Sequence, residues 1–310
     1  MKRARWKHAA FVLPWVIGIG VFTLYPFAAS IWYSFTDFSV LAPAVPVGTA
    51  NYAEMAGDAK FWKTLGNTCL YAALAIPAGL IVSLGLALLM NAVKRGQVIY
   101  SVIFYLPHLV PAVASAILWM WIFNAEYGLL NNALRPFFDG ANAVRAWLDP
   151  AIAGDAKLMW APPAWLSSTT WALPALVIMA MWGVGQTAFI YLAKLQDVPV
   201  ELYEAADIDG ASTWQKIVHI TIPTISPIIF FNVIMGIIGA FQVFTEPFLM
   251  TQGGPAEATY FLPHYIYDSA FRYLRMGYAS AMSWILFLII LGLTALAFRL
   301  SRDRVHYAGR

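Results

Sequence analysis

Residues 203–223 have the sequence YEAADIDGASTWQKIVHITIP, a polar segment with apolar runs on both sides. No Asp, Glu, Lys or Arg occurs between 158 and 193, before the segment, or between 217 and 245, where it ends. Each of these runs exceeds the roughly 20 residues that a helix needs to cross a hydrocarbon core. The segment is therefore a polar connection between two predicted membrane spans.

Charge-free runs of similar length recur along the whole chain. Four more lie at 8–36, 64–93, 96–125 and 276–298. Only 11% of the 310 residues are charged, whereas roughly 25% are charged in soluble domains, so the chain cannot cover itself with a solvated surface. These runs exclude a soluble protein with a large core. We predict an all-α polytopic membrane protein with six transmembrane helices, near 10–35, 65–92, 98–123, 170–194, 224–250 and 278–299.

Lysine and arginine divide unequally between the two sides of the predicted membrane. With the N-terminus inside, 12 of the 19 fall on cytoplasmic segments. The positive-inside rule then places both termini in the cytoplasm. The basic N-terminus continues into an apolar run too long for a cleaved signal peptide, so we predict an uncleaved first span. The inside residues are Lys2, Arg3, Arg5, Lys7, Lys94, Arg95, Lys194, Lys216, Arg299, Arg302, Arg304 and Arg310.

The polar connection, residues 195–223, is called the EAA segment below. Asp197 is placed to cap the start of a helix, and Gly210 suits a left-handed turn that ends it. Ser212 and Gln215 have the spacing of a capping box for a second short helix. Pro223 and Pro227 mark the turn back into the membrane and the first turns of the next span. The residues alone leave an ordinary amphipathic helix at the membrane surface as an alternative.

The EAA segment resembles the cytoplasmic signature of ABC import permeases. That signature is EAA, three residues, Gly, nine residues and then I-x-L-P. Other segments, among them LYPFAASIWYSFTDFSV and FQVFTEPFLMTQGGP, are similar to the carbohydrate-uptake branch of these permeases, the maltose and glycerol-3-phosphate type. The similarity covers nearly the whole chain except an insert near 135–164. The signature is matched, with Ile222 in place of leucine, at Glu204, Ala205, Ala206, Gly210, Ile220 and Pro223.

The resemblance implies the type I ABC importer permease fold in a bacterial inner membrane. The EAA segment would be a cytoplasmic coupling helix that docks on an ABC ATPase dimer. It also implies a second homologous permease subunit and an extracytoplasmic solute-binding protein as partners. ATP and Mg would be bound by the ATPase, so no cofactor is expected on this chain. The residues implied in coupling are Glu204, Ala205, Ala206, Asp207, Gly210, Ile220 and Pro223.

Three regions are expected along the chain. Residues 1–64 contain the N-terminal tail, the first span and the first outside loop. Residues 65–299 form the ABC transmembrane core, and residues 300–310 form a cytoplasmic tail. The core contains an outside loop at 124–169, which is long for a connector, so we expect it to pack against or bind something.

Small, polar and aromatic residues in the fourth and fifth predicted spans suggest a substrate path. A glutamine inside a span needs a partner or a wet cavity, and an open side of small residues leaves room for a ligand, although helix packing alone would also explain the glycines. The resemblance implies that six of these positions line the sugar site, and most of them are small here. Glu246 lies near the outer end, where gating or partner binding is the alternative. The path residues are Trp182, Gly183, Gln186, Gly236, Gly239, Ala240, Gln242, Val243 and Glu246.

The third predicted span contains Pro107 and Pro111, which predict a bend because proline removes a backbone donor. A plain structural kink explains each proline as well as a cavity does. We expect His108, between them, to be packed or hydrogen-bonded rather than a ligand.

Motifs for catalysis are missing from the sequence. There is no GxxxxGK[ST] phosphate loop, HExxH motif or cysteine cluster, and Cys69 is the single cysteine. We therefore expect a transport subunit rather than an enzyme, no bound metal, and solvated carboxylates outside the EAA segment. The implied function is ATP-driven import of a sugar or sugar derivative. The alternatives are an ion-coupled secondary transporter and a membrane-embedded enzyme, which would need buried acids or metal ligands.

Overall fold

A computed structural model describes residues 2–93, 95–149 and 159–301, with only the backbone for 2–10. Four predicted inside residues, Lys94, Arg302, Arg304 and Arg310, lie outside the described residues, as does part of the 135–164 insert. The helices are α1 (Lys2–Ile19), α2 (Tyr25–Ser34), α3 (Ala50–Gly57), α4 (Ala59–Ala92), α5 (Gln97–Tyr105), α6 (Ala112–Ile122), α7 (Leu129–Leu148), α8 (Ala172–Trp182), α9 (Gly185–Leu195), α10 (Val200–Ile208), α11 (Thr213–Lys216), α12 (Ile222–Phe241), α13 (Thr245–Met250), α14 (Leu262–Tyr267) and α15 (Met276–Ser301).

Apolar helical stretches account for the predicted spans. Four of them are unbroken helices that are long and apolar enough to cross a membrane. Two more are long and apolar enough only if two helices joined by a bend are taken together. In the first, α5 and its extension to Leu109 meet α6 at 98°, and in the second, α8 meets α9 at 45°. The described residues thus hold four candidate spans, or six if each bent pair is one span, which makes the chain a multi-pass membrane protein. The four unbroken stretches are Phe11–Ser34, Ala59–Ala92, Thr213–Met250 and Met276–Ser301.

The bend in the third stretch lies at the two prolines, as the sequence predicts. Pro107 is in a 3₁₀ turn, Leu106–Leu109, and Pro111 directly precedes α6 as its N-cap residue. Neither proline can donate a backbone hydrogen bond, so the helix is interrupted between them. His108 packs beside Tyr105, with 5.7 Å between ring centroids.

The fifth stretch begins earlier than the sequence analysis predicts. The predicted capping box is present: the Ser212 hydroxyl accepts from the Gln215 amide, and the Gln215 side chain accepts from the Ser212 amide. The helix then runs through a π-helical turn, Ile217–Thr221, into α12. Pro223 lies in the first turn of α12, where a missing amide hydrogen costs little. The predicted place of Pro223 in the first turns of this span is confirmed, although the helical stretch already begins at Thr213.

The chain divides into two compact units, one formed by Met1–Lys63 and Leu262–Ile289 and the other by Thr64–Phe261 and Ile290–Arg310. The first unit contains the only described strands, β1 (Thr36–Ser39) and β2 (Ala42–Pro46), which form an antiparallel hairpin. The sequence predicts no strand here and a second span that starts at 65, whereas α4 already begins at Ala59.

Two clusters of buried apolar side chains lie among the described residues of the second unit. One is built around Tyr71, Phe123 and Phe261. The other is built around Tyr191 and Ile225. In both clusters, bulky aromatic side chains fill the space between neighbouring helices.

Candidate functional site

A cavity of about 760 Å³ lies within the second unit. Its walls come from α4, the bend before α6, the break between α8 and α9, and the end of α12 with the start of α13. The volume is typical of small-molecule sites, and most lining side chains are apolar. The polar lining residues include Ser115, Thr187, Asn232, Gln242 and Glu246.

Eight of the nine predicted path residues line this cavity, and Gln186 does not. The prediction for Gln186 assumes a continuous helix through 182–186. Instead α8 ends at Trp182 and α9 starts at Gly185 after a 45° bend, so the two side chains are not one turn apart on a common face. Gln186 is exposed, and the next residue, Thr187, lines the cavity.

The polar lining residues Ser115, Thr187, Asn232 and Thr245 are not among the predicted path residues. Ser115 and Asn232 are buried, and the Asn232 amide donates to the Ile228 carbonyl at 3.0 Å. A signal for Asn232 exists in the sequence, because it is the single asparagine in the apolar run 217–245. A polar side chain inside a span needs a partner or a wet cavity.

The glycines on the cavity side of α12 differ in their surroundings. A Cβ atom on Gly236 would lie 3.4 Å from Ile76 Cγ2, which is close contact, whereas a Cβ on Gly239 would meet no atom within 4 Å. Packing among the described residues of this chain therefore does not require a glycine at 239. Its effect is to leave the cavity wall open.

The first helix of the EAA segment, α10, ends in a Schellman motif. Gly210 has a left-handed backbone with φ +75°. Its amide donates to the Asp207 carbonyl at 3.1 Å, and the Ala211 amide donates to the Ala206 carbonyl at 2.9 Å. This pattern satisfies the last carbonyls of the helix and favours glycine at the turn. The predicted left-handed turn at Gly210 is confirmed.

The predicted helix cap at Asp197 is wrong. The N-cap residue of α10 is Pro199, and no side chain caps the helix. Asp197 instead pairs with Lys194 at 3.2 Å on an exposed surface. Because Pro199 cannot donate and sets its own φ, the helix starts at Val200 without the aspartate.

Half of the matched EAA signature is exposed on this chain, and the other half is partly buried. Glu204, Ala205 and Gly210 are exposed. The largest exposed apolar side chains of the segment are Ile208, 88% exposed, and Trp214, 71% exposed. The sequence analysis does not single out Trp214, although an apolar aromatic residue in a polar helix is a signal for a contact surface.

Two contacts of the EAA segment stabilise its shape. Asp207 and Lys216 form an ion pair at 2.7 Å across the turn between α10 and α11. The Tyr203 hydroxyl lies 2.9 Å from Thr221 Oγ1 in the π-helical turn. Side-chain contacts thus hold the two helices of the segment together.

The base of the EAA segment is connected to the apolar core. Tyr203 and Ile220 pack against the buried cluster that contains Tyr191, Leu192 and Ile225. These cluster residues belong to α9 and α12. Side-chain contacts therefore connect the segment to the ends of two apolar helices.

A family model described as "Binding-protein-dependent transport system inner membrane component" matches residues 75–305. The chain belongs to this family. The permease is 35% identical over 305 residues to "Probable ABC transporter permease protein YesP" of Bacillus subtilis (strain 168), covering 97% of this chain and 92% of that protein. The resemblance to ABC permeases is confirmed, and the chain is a transport permease subunit.

Two further relatives have named transport systems. The "sn-glycerol-3-phosphate transport system permease protein UgpA" of Yersinia pestis is 30% identical, with 97% of this chain and 96% of that protein covered. The "Lactose transport system permease protein LacF" of Rhizobium radiobacter is 32% identical, with 95% and 93% covered.

The fold is shared with a solved structure. A chain of the bacterial alginate ABC transporter, in complex with an alginate pentasaccharide-bound periplasmic protein, superposes with a TM-score of 0.79. The two chains are 22% identical, and the match covers 97% of the permease and 96% of that chain. The helical membrane fold is therefore that of an ABC importer permease.

Several carboxylates outside the EAA segment are paired, so the prediction that they are solvated is wrong for these residues. Asp58 accepts hydrogen bonds from the hydroxyls of Tyr265 and Tyr278. Glu54 pairs with Arg275, and this hydrogen bond raises the pKa of Arg275. All five belong to the first unit, and long sequence separations hide these pairs from the sequence.

A third carboxylate of the first unit, Asp268, is buried beside a histidine and an arginine. Asp268 Oδ2 lies 3.6 Å from His264 Nε2, and Oδ1 lies 3.1 Å from Arg272 Nε. The three residues are spaced by four, which brings them together along one side of a helix. Burial is the main cause that lowers the pKa of His264, while the Asp268 charge opposes it. Among the described residues, no group of three His, Cys, Asp or Glu side chains could hold a metal.

Proposed function

We propose that this permease is the transmembrane subunit of an ATP-driven importer that translocates a sugar or sugar derivative delivered by an extracytoplasmic binding protein. The observation that carries the proposal is the EAA segment. It presents Glu204, Ile208 and Trp214 outward while Tyr203 and Ile220 pack on the apolar core. A segment with one exposed face and one face packed on the membrane helices can bind a partner and transmit its movement to those helices.

In this proposal each bent helix pair crosses the membrane once. The chain then has six spans, with both termini and the EAA segment on the cytoplasmic face. Support comes from the count of candidate spans, which reaches six only when the bent pairs are included. The EAA segment is the coupling helix, and Glu204, Ala205, Ala206, Asp207, Gly210, Ile220 and Pro223 belong to it.

The substrate class is supported by the relatives and by the cavity lining. Relatives with named systems move glycerol-3-phosphate and lactose. Sugars bind to aromatic faces combined with planar polar groups, and the cavity offers Trp182, Asn232 and Gln242. Gly183, Gly236, Gly239, Ala240 and Val243 widen the path, and Glu246 lies at one end of it.

Partners supply the chemistry that this chain lacks. A dimer of ABC ATPases binds ATP and Mg, and a second homologous permease completes the membrane complex. Shifting a two-state equilibrium from 1:99 to 99:1 takes about 5.5 kcal/mol of differential binding. The exposed apolar side chains Ile208 and Trp214 are suited to supply part of that energy when they enter a cleft on the ATPase.

The test is co-purification of the tagged permease from its native membranes in mild detergent, followed by mass spectrometry. We expect an ATPase and a second permease to be recovered. Ile208→Glu should lose the ATPase but keep the second permease, because a charge is added to an exposed side chain that the fold does not bury. Glu201→Gln, on the same helix, is the control and should keep both.

Gly210 gives an independent test of the same proposal. Gly210→Asp should leave the protein inserted and abolish sugar uptake, because it adds a carboxylate to the proposed docking turn. Gly210→Asn is the matched control, since asparagine tolerates a left-handed backbone without adding charge. Normal uptake by the Asp variant, or a permease that purifies without any ATPase, would overturn the coupling role.

A further inference from the structure

Helix α7 exposes an apolar stripe along one side. Phe137, Val144, Trp147 and Leu148 are 70%, 59%, 82% and 69% exposed. Val144, Trp147 and Leu148 follow Phe137 by seven, ten and eleven residues. At 3.6 residues per turn, all four side chains therefore lie on one side of the helix. The polar residues Asn132 and Asp139, seven residues apart, are exposed on a different side of the helix. Among the described residues, none covers the stripe.

The opposite side of α7 is held in place by buried and paired polar groups. Asn131 is buried, accepts from Trp165 Nε1 at 2.7 Å, and donates to the Pro163 carbonyl at 3.1 Å. Asn142 pairs with both the amide and the carbonyl of Trp160 at 2.8 Å each. The orientation of the helix is thereby determined, and the stripe faces away from the protein.

The position of α7 relative to α6 is set by a tight turn between them. A Cβ atom on Gly128 would lie 2.5 Å from the Ile122 carbonyl oxygen and 2.3 Å from that of Asn124. Residue 128 must therefore be glycine for the start of α7 to meet the end of α6. Since α6 is half of a candidate span and exposes Ile117 and Trp121, α7 starts only a short turn after the end of a membrane-spanning stretch.

We infer that α7 lies in the surface of the bilayer, with its apolar stripe inserted at the boundary between headgroups and acyl chains. Amphipathic helices bind this boundary with their apolar face, and tryptophan is enriched there. Trp147 belongs to the stripe, and Arg145 packs over the ring of Trp160 at 4.3 Å. The exposed polar side carries both Arg135 and Asp139, so the contact does not require anionic lipid.

Lipid is favoured over a protein as the occupant by continuity. Helix α7 follows directly after α6, which belongs to a candidate span, and lipid surrounds every copy of a membrane-spanning chain. This contact goes beyond the transport function and does not depend on the ATPase. It anchors the long loop that follows α6 to the membrane.

Spin-label accessibility tests the inference directly. In a Cys69→Ala background, nitroxide labels on Val144→Cys and Asp139→Cys would be compared in the intact complex, in nanodiscs of phosphatidylcholine. Collisions with oxygen report lipid, and collisions with a water-soluble nickel chelate report solvent. We expect oxygen to dominate at 144 and the nickel chelate to dominate at 139. Leu148→Cys and Asn132→Cys form a second matched pair.

Each other result overturns the inference. Nickel collisions at both positions of a pair would show that the stripe faces water. Low collision rates with both reagents at 144 and 148 would show that a protein covers the stripe. Oxygen collisions at 132 and 139 as well would show immersion of the whole helix instead of an interfacial position. Repeating the measurement on the permease alone separates a lipid contact from a partner subunit.

Discussion

The carboxylate of Asp58 accepts a hydrogen bond from the hydroxyl of Tyr278 at 2.7 Å. The same carboxylate accepts from the Tyr265 hydroxyl at 2.7 Å and from the Lys60 amide at 2.8 Å. Asp58 directly precedes α4, so it caps that helix while it binds two side chains from the C-terminal part of the chain. The Asp58 carboxylate thus connects the start of α4 with α14 and α15.

Asp58→Ala should destabilise the permease by about 2 to 3 kcal/mol, because hydrogen bonds to a charged group are lost and two tyrosine hydroxyls lose their acceptor. Asp58→Asn should cost less, since an amide oxygen still accepts. Thermal unfolding in detergent would measure both. Asp37→Ala is the control, because Asp37 is exposed in the hairpin. Equal melting temperatures for the Asp58→Ala and Asp37→Ala variants would contradict the joining role of Asp58.

The permease should lose stability on acidification in two separate pH windows. Burial lowers the pKa of His264 below its ordinary 6.5, with Asp268 opposing and Arg272 and Lys60 assisting. The unfolded chain therefore binds the proton first, and stability falls as the pH drops below about 6.5 towards the lowered pKa. Burial also opposes the charge of Asp58, but its hydrogen bonds prevail and lower its pKa below 3.8. Its contribution is present above about 3.8 and is lost as the pH falls through the lowered pKa.

His264→Gln separates the two windows. It should flatten the stability profile near neutral pH and leave the strongly acidic window unchanged. Melting temperatures across a buffer series would measure this. His219→Gln is the control, because His219 is exposed and bonded to the Gln215 carbonyl. An unchanged slope near neutrality in the His264 variant would assign that window to another group.

The sequence predicts the spans well because their signal is local. Charge-free length alone identifies six stretches, and Pro107 and Pro111 identify the bend between α5 and α6. The break between α8 and α9 has no proline at its centre, only Gly183 and Val184. The assumption that Trp182 and Gln186 lie one helical turn apart fails at that break, whereas Gly236 and Gly239, on one unbroken helix, both line the cavity.

The polar pairs of the first unit could not be predicted from the sequence. Asp58 and Tyr278 are separated by 220 residues, and nothing local to either residue indicates the other. A carboxylate just outside a span also resembles an ordinary solvated loop residue. The left-handed turn at Gly210 is the opposite case, since a helix-ending glycine satisfies carbonyls within its own helix.

Asn131 should be more important for stability than its neighbour Asn132. Asn131 is buried and bonds to Trp165 and to the carbonyls of Ala125 and Pro163. Asn131→Ala should destabilise the permease by about 2 kcal/mol, because buried donors and an acceptor are left without partners. Asn132→Ala should cost far less, since Asn132 is exposed and makes one long bond of 3.3 Å. Comparable losses for the two variants, measured by thermal unfolding, would contradict the anchoring of α7 by Asn131.

Gly239→Leu should block transport without unfolding the permease. A side chain at 239 meets no described atom of this chain within 4 Å and points to the cavity wall, so it should fill the path rather than strain the fold. One extra methylene group in a binding pocket changes the preference between two substrates by roughly tenfold or more. A whole leucine side chain in the path should therefore lower sugar uptake by at least roughly tenfold. Uptake of labelled sugar into membrane vesicles, with ATP, would measure this.

Gly292→Leu is the matched control. A Cβ atom at 292 also has no neighbour within 4 Å, and Gly292 lies in α15 and does not line the cavity. This variant should transport normally. Full uptake by the Gly239 variant would remove α12 from the substrate path.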